Sequence, residues 1–262
     1  MDFGLNDKVA LVAASSTGLG KAVAIGIAEE GANVIICSRN SNKLKIVSEE
    51  IQNKGRRCLA IPTDLTNYSQ VQNLVTRSIE YFGKIDILVT NCGGPPPGGF
   101  LDFSIEDWNR AIDLNLMSTI YLCKEVIPYM VNQNFGRIIM ITSVSVKQPL
   151  KGLILSNVAR AGVAGLAKSL SNEFGKNNIL VNIVCPGYTQ TQRVNQLAID
   201  LSAEQGLEPE EMIQKWAKLN ALGRIATPEE FANVVVFLTS ERASHLTGIA
   251  IQIDGGLVKS IL

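Results

Sequence analysis

The 262-residue sequence predicts an α/β protein built as one doubly wound parallel sheet of about seven strands, with helices on both faces. Three observations carry that prediction. Short apolar runs alternate with longer amphipathic segments from end to end. The runs are rich in Val, Ile and Leu and lack polar alternation, as expected of parallel strands covered on both faces. The first run also leads through a glycine-containing turn straight into a helical pattern.

Taken in order, the candidate strands are Val9–Ala14, Asn33–Ser38, Cys58–Pro62, Ile85–Thr90, Arg137–Thr142, Leu180–Cys185 and Ile249–Ile253. Helical patterns lie between them, the first over Lys21–Glu30 and two long apolar ones over Ile105–Met130 and Ser156–Phe174. Ser104-Ile-Glu-Asp resembles a capping box, and Thr227-Pro-Glu-Glu has a capping threonine, a proline at the first helical position and a glutamate two further on. Gly93–Gly99 reads GGPPPGG, which excludes helix and central strand and predicts a stiff loop after the fourth strand. Residues 187–224 form an excursion between the last two strands, with a helical pattern over Pro209–Asn220. An insertion at the carboxyl end of a parallel strand sits where ligands bind, so the excursion is either a lid or a plain surface excursion. No linker or repeat divides the chain, and residues 1–262 read as a single domain.

Composition narrows the function. The formal net charge is zero, from 24 basic and 24 acidic residues, and 46% of the chain is hydrophobic. No basic excess exists to attract nucleic acid, and near-neutrality leaves little repulsion against self-association. No apolar stretch approaches the ~18 residues of a membrane span, and the N-terminus lacks the basic region of a signal peptide. The five cysteines are scattered without a Cys-x-x-Cys pair, and His245 is the only histidine, so no metal site is expected. Buried free thiols in a reducing cytoplasm are the expectation. His245, with no carboxylate or nucleophile pattern around it, reads as a surface or subunit-contact residue rather than a base.

The chemistry-bearing pattern begins after the first strand, at Ala14-Ser-Ser16-Thr17-Gly18-Leu19-Gly20. A glycine turn feeding a helix presents free backbone N–H groups and a positive dipole end, which suits a pyrophosphate. The second strand ends Cys37-Ser38-Arg39-Asn40, with no acidic residue to accept from a ribose 2′-hydroxyl. A guanidinium there pairs with a 2′-phosphate instead, so NADP(H) is favoured and NAD(H) is the second choice.

These elements, and others along the chain, resemble the short-chain dehydrogenases/reductases over nearly its whole length. The similarity is to the branch of the 3-oxoacyl-(acyl carrier protein) reductases. Ala13-Ala14 stands where the family's fingerprint begins Thr-Gly. The resemblance implies a Rossmann-type fold and roles for further residues. Asp64 and Leu65 would face the adenine; Asn91 and Gly93 would flank the cofactor after the fourth strand. Asn115 and Ser143 match the catalytic asparagine and serine. Pro186, Gly187, Thr189 and Thr191 match the element that reaches the nicotinamide amide. The family's catalytic tyrosine and lysine are replaced here by Ser156 and Arg160, four residues apart and therefore on one helix face.

An aliphatic hydroxyl is a far weaker acid than a phenol, so Ser156 cannot take over the tyrosine's proton chemistry unaided. Arg160 keeps the positive charge that would hold the ribose hydroxyls. Tyr188, Lys147 and Tyr121 are candidate substitute acids, with Tyr188 foremost because its Pro-Gly turn lies beside the nicotinamide in the family; packing under the lid is its other reading. The chain is thus expected to be an NADP(H)-dependent oxidoreductase acting on a small carbonyl/alcohol pair with a non-standard proton relay. The alternative is an NADP(H)-binding protein without turnover, a regulator or structural partner. The apolar helices Ile105–Met130 and Ser156–Phe174, with the tail Gly256–Leu262, further predict a homotetramer.

Overall fold

A computed structural model describes residues 2–261, with Glu204 by its backbone alone. Seven parallel strands form one sheet in the order β3-β2-β1-β4-β5-β6-β7. They are β1 (Val9–Val12), β2 (Asn33–Ser38), β3 (Cys58–Pro62), β4 (Ile87–Thr90), β5 (Gly136–Ile141), β6 (Ile179–Pro186) and β7 (Ala250–Ile253). Every neighbouring pair is parallel. Each strand lies within about two residues of its expected place.

Burial on both faces explains the unbroken apolar runs. On one face Val9, Leu11, Ile35 and Ile138 pack against α3 (Tyr68–Phe82), α5 (Ser118–Asn132) and α6 (Ile154–Phe174). On the other, Ala10, Val12, Ile36 and Val89 meet α1 (Gly18–Glu29), α2 (Ser41–Gln52) and α9 (Pro228–Thr239). Successive strand residues therefore serve opposite cores, which is the pleat read out in sequence. The chain order reverses between β1 and β4, and the crevice outside the carboxyl ends of those strands is where such sheets bind ligands.

Both capping boxes form. Ser104 and Asp107 cap α4 (Ile105–Ile112) reciprocally, and Thr227 and Glu230 do the same for α9. GGPPPGG is a loop, tied by the Gly98 N–H to the Gly152 carbonyl at 2.7 Å. The excursion carries α7 (Gln192–Gln205) and α8 (Pro209–Leu219), which close over a small apolar core of Leu197, Met212 and Trp216. The tail tucks Leu257 and Val258 against the main core, Ile261 is exposed, and Leu262 lies outside the described residues. Among the described residues no helix is long and apolar enough to cross a membrane.

Two expectations need correction. The segment Ile105–Met130 is not one regular helix: α4 runs into a π-helical turn, Asp113–Met117, before α5 continues. The first strand ends at Val12 rather than Ala14, because Ala14 sits at φ +48°, in the left-handed region. That conformation is natural to glycine and crowds the Cβ of any other residue. Ala14→Gly should therefore stabilise the protein by about 1 kcal/mol and raise Tm by about 2–4 °C in a thermal melt. A lower Tm would show that the turn carries no strain.

Candidate active site

A cleft of about 420 Å³ runs along the carboxyl ends of the strands. At its left-handed turn, Ala13 and Ala14 hand the chain from β1 to α1. Ser16, Thr17, Gly18 and Leu19 line the cleft there. Thr17 precedes the helix in an extended conformation and its side chain makes no cap hydrogen bond. The first-turn N–H groups of α1 are thus left for a ligand, with the dipole's positive end behind them. Gly20 is behind the wall rather than in it. A Cβ on Gly20 would fall on the Ala14 carbonyl oxygen, and the Asn91 amide nitrogen would lie 2.9 Å away. Close packing of α1 against β1 and β4 demands this glycine.

The β2 and β3 ends form the next stretch. Ser38, Arg39, Asp64 and Leu65 line it, joined by Asn40 and Lys43, which sequence reasoning had not singled out. Asn40 caps α2, accepting from the Lys43 N–H at 3.0 Å, and so turns Lys43 toward the same opening. Asp64 accepts from both the N–H and the hydroxyl of Thr66, and the backbone bond first, then the side-chain bond, hold its carboxyl below the ordinary value. Across the cleft, Gly187 passes so near β7 that a Cβ would stand 2.8 Å from the Asp254 Cα. Pro186 and Gly187 lead to Thr189, which is buried, and Thr191, whose hydroxyl caps α7 and whose methyl would stand 3.4 Å from a Cβ placed on Gly18.

At the centre, the ends of β4 and β5 bring Asn91, Cys92, Gly93 and Ser143 onto one wall, which α6 completes with Ser156 and Arg160. Asn91 donates to the Ala14 carbonyl at 3.5 Å. Asn115, buried in the π turn, is behind this wall. Its amide donates to the Ala111 carbonyl at 3.1 Å, and its Oδ1 accepts from the Cys92 thiol at 3.4 Å. Burial pushes the Cys92 thiol up, against the opposing charge of Arg160, so it remains a neutral donor.

Arg160 and Ser156 meet as their spacing requires. The Arg160 Nε donates to the Ser156 Oγ at 3.1 Å, and its Nη1 donates to the Thr142 carbonyl at 2.9 Å. The Ser143 Oγ accepts from the Ser145 N–H at 3.1 Å. Each serine oxygen is thus an acceptor within the fold, and neither hydroxyl hydrogen has an acceptor among the described residues. Two O–H donors face one cleft.

The candidate substitute acids fare differently. Tyr188 lines the cleft, but its ring stacks on Trp216 with centroids 4.2 Å apart and planes 3° from parallel. Burial pushes its pKa up to about 12, the reverse of what a proton-relay phenol needs. Its environment is that of a packing residue in the small core under α7 and α8. Tyr121 packs on Tyr68 between α3 and α5, and neither it nor Lys147 lines the cleft.

Sequence reasoning missed Arg193. It stands in the first turn of α7, where the helix dipole opposes a cation, and donates from Nη2 to the Pro95 carbonyl at 2.7 Å. A cation misplaced against the dipole was the one local signal that could have flagged it.

An open parallel sheet with a glycine turn at its switch point, a cationic adenosine end and a serine-lined centre defines a dinucleotide-binding α/β oxidoreductase. Comparison with known proteins agrees. A family profile described as Enoyl-(Acyl carrier protein) reductase matches residues 13–258. The oxidoreductase UcpA of Salmonella typhimurium is 36% identical over 96% of this chain and 95% of its own. The 3-oxoacyl-(acyl-carrier-protein) reductase FabG of Aquifex aeolicus is 35% identical over 98% of this chain and 100% of its own. L-sorbose reductase from Gluconobacter frateurii, solved with NADPH and L-sorbose, superposes with a TM-score of 0.94 at 33% identity, covering both chains completely. The chain belongs to the short-chain dehydrogenase/reductase family.

Proposed function

We propose that this chain is an NADP(H)-dependent carbonyl reductase in which two serine hydroxyls, rather than a tyrosine, receive the charge that develops on the substrate oxygen. The observation that carries this reading is the pairing of Arg160 with Ser156. The guanidinium occupies the serine's acceptor side and polarises its O–H, which then points into the cleft beside that of Ser143. Preorganised donors of this kind stabilise an oxyanion without themselves ionising.

Bound cofactor supplies the hydride for the carbonyl carbon. The rest is the work of the chain. The free N–H groups of α1 fit a pyrophosphate, and Arg39 with Lys43 fits a 2′-phosphate, with no carboxylate among residues 37–40 where β2 ends. The L-sorbose reductase it resembles was solved with NADPH, which supports the same choice here. Thr189, Thr191 and Gly187 are placed to bound the nicotinamide. Ser143 and Ser156 donate to the substrate oxygen, and the proton that completes the alcohol comes from solvent through Ser156. Asn115 positions the wall through Cys92. Tyr188 is left as wall, and residues 187–224, which carry α7 and α8, are read as a lid over the cleft.

Two measurements test the catalytic reading. NADPH should bind at least about tenfold more tightly than NADH, and Arg39→Ala should erase most of that difference, as loss of a charged hydrogen bond implies. NADPH oxidation with ketones, 3-oxoacyl thioesters and sugars should reveal turnover that Ser156→Ala lowers by about 10²-fold in kcat. Silence across the panel despite tight NADPH binding would overturn the reductase reading in favour of a cofactor-binding protein without turnover.

We further propose a homotetramer in a reducing cytoplasm. Four of the five free cysteines are buried, which suits such a compartment. Val158, Ala161 and Gly165 make a small exposed stripe at helical spacing on α6, and Ile105 and Tyr129 are exposed on α4 and α5. These helices would pair across one twofold axis, and the apolar tail across another. Light scattering at micromolar concentration should give about four times the 28.3 kDa of one chain; a monomer mass would refute the assembly.

A further inference from the structure

Four cations line the cleft, and they divide into two pairs. Arg39 and Lys43 belong to the β2 end, beside Asp64, the single carboxylate lining the cleft among the described residues. Arg160 and Arg193 belong to the other end. Arg160 is anchored on the Thr142 carbonyl after β5, and Arg193 on the Pro95 carbonyl after β4, and those two strands are neighbours in the sheet. The Arg193 guanidinium lies against Gly94, where any Cβ would meet its Nη2 at 2.8 Å, so the glycine admits it.

Neither arginine is in a salt bridge among the described residues. The carboxylate that acts on Arg193 is Asp200, two turns along α7, and its Oδ1 is taken by the Gln196 amide at 2.8 Å. Burial holds the Arg193 guanidinium below its ordinary value, with Asp200 opposing that and the like charge of Arg160 adding to it. Arg160 is only 9% exposed. Two mutually repelling guanidinium groups facing one cleft, neither in a salt bridge among the described residues, are costly unless an anion joins them. Among the described residues the Arg193 Nε and Nη1 and the Arg160 Nη2 have no acceptor, and planar forks of this kind suit carboxylate and phosphate oxygens.

We infer that the substrate is an anionic carbonyl compound, whose carboxylate or phosphate group is held between Arg160 and Arg193 while its carbonyl oxygen meets Ser143 and Ser156. Leu150, Leu153 and Val194 line the same end and leave room for a short apolar segment between the two polar groups. This inference rests on the reductase reading, because it assigns Ser143 and Ser156 to the carbonyl. It also explains what Arg160 gains over lysine: a second edge that can hold an anion while Nε engages Ser156.

The test is isothermal titration of the NADPH complex with matched product pairs. These are 3-hydroxybutyrate against its methyl ester, and glycerol 3-phosphate against glycerol. At least one anionic member should bind about tenfold or more tightly than its neutral partner, and which one tells carboxylate from phosphate. Arg193→Met should bring that ratio to within about threefold, Arg193→Lys should retain part of it, and NADPH binding by each variant verifies its fold. Equal affinities within both pairs, no binding by either anion, or a preference that survives Arg193→Met would each overturn the inference. Failure of NADPH itself to bind the unaltered protein is a different result and sinks the reductase reading instead.

Discussion

The cleft depends on how tightly the chain turns from β1 into α1. The Ala13 N–H donates to the Val89 carbonyl at 2.9 Å, so the turn is bonded to β4 before the helix begins. Ala14 then takes a left-handed conformation, its carbonyl accepting from Asn91, and Gly20 brings α1 down onto both. Because β1 and β4 are the strands at which the sheet order reverses, this packing fixes the floor of the crevice and the direction in which the α1 N–H groups point. The cost of a left-handed alanine is a local one. The turn persists because the ladder, the asparagine and the helix together over-determine it.

The second constraint is electrostatic. Replacing lysine by arginine at position 160 does not merely preserve a charge. A compact ammonium could serve one acceptor cluster, whereas the guanidinium reaches the Thr142 carbonyl and Ser156 at once. Ser156 is thereby drawn into the same network. Serine and arginine at this spacing therefore make sense as a pair: the short hydroxyl leaves room for the larger cation, and the cation raises the donor strength of the hydroxyl. Read as a damaged tyrosine–lysine motif, each substitution is a loss. Read together under the proposed function, they would exchange acid catalysis for hydrogen-bond stabilisation, whose benefit is greatest where water is excluded.

Most of the frame was legible in the sequence for a plain reason. A parallel strand buried on both faces writes a continuous apolar run, and the Ser104 and Thr227 boxes write their helix starts explicitly. Many of the residues expected at strand ends line the cleft, since a strand end fixes direction as well as place. Three features were not legible. The π turn at Asn115 inserts one residue into a helical register, and no periodicity marks an insertion that short. Arg193 acquires its role only because α7 folds back beside the loop after β4, a contact across 98 positions of sequence. Tyr188 looked like a proton donor because its neighbours in sequence face the cofactor. Its partner Trp216 comes from α8, and that stack decides the environment.

Those last two residues also bear on how α7 and α8 are held. The small core of Leu197, Met212, Trp216 and Tyr188 is separate from the two cores flanking the sheet, so this pair of helices is internally packed. Its polar ties to the rest of the chain include Arg193 to Pro95, the Thr189–Ala226 bridge, the Leu222 N–H to the Gly255 carbonyl and the Lys259 ammonium to the Leu219 carbonyl, and Leu153 packs against its core. If this segment is the lid proposed above, its own apolar core would let it move largely as a unit, with Leu153 and these polar ties as the contacts that moving it would change. Arg193 belongs at once to that perimeter and to the cleft. An anion drawn toward its unpaired edge would add a bond between α7 and the strand ends, so ligand binding and closure of this segment would draw on the same side chain.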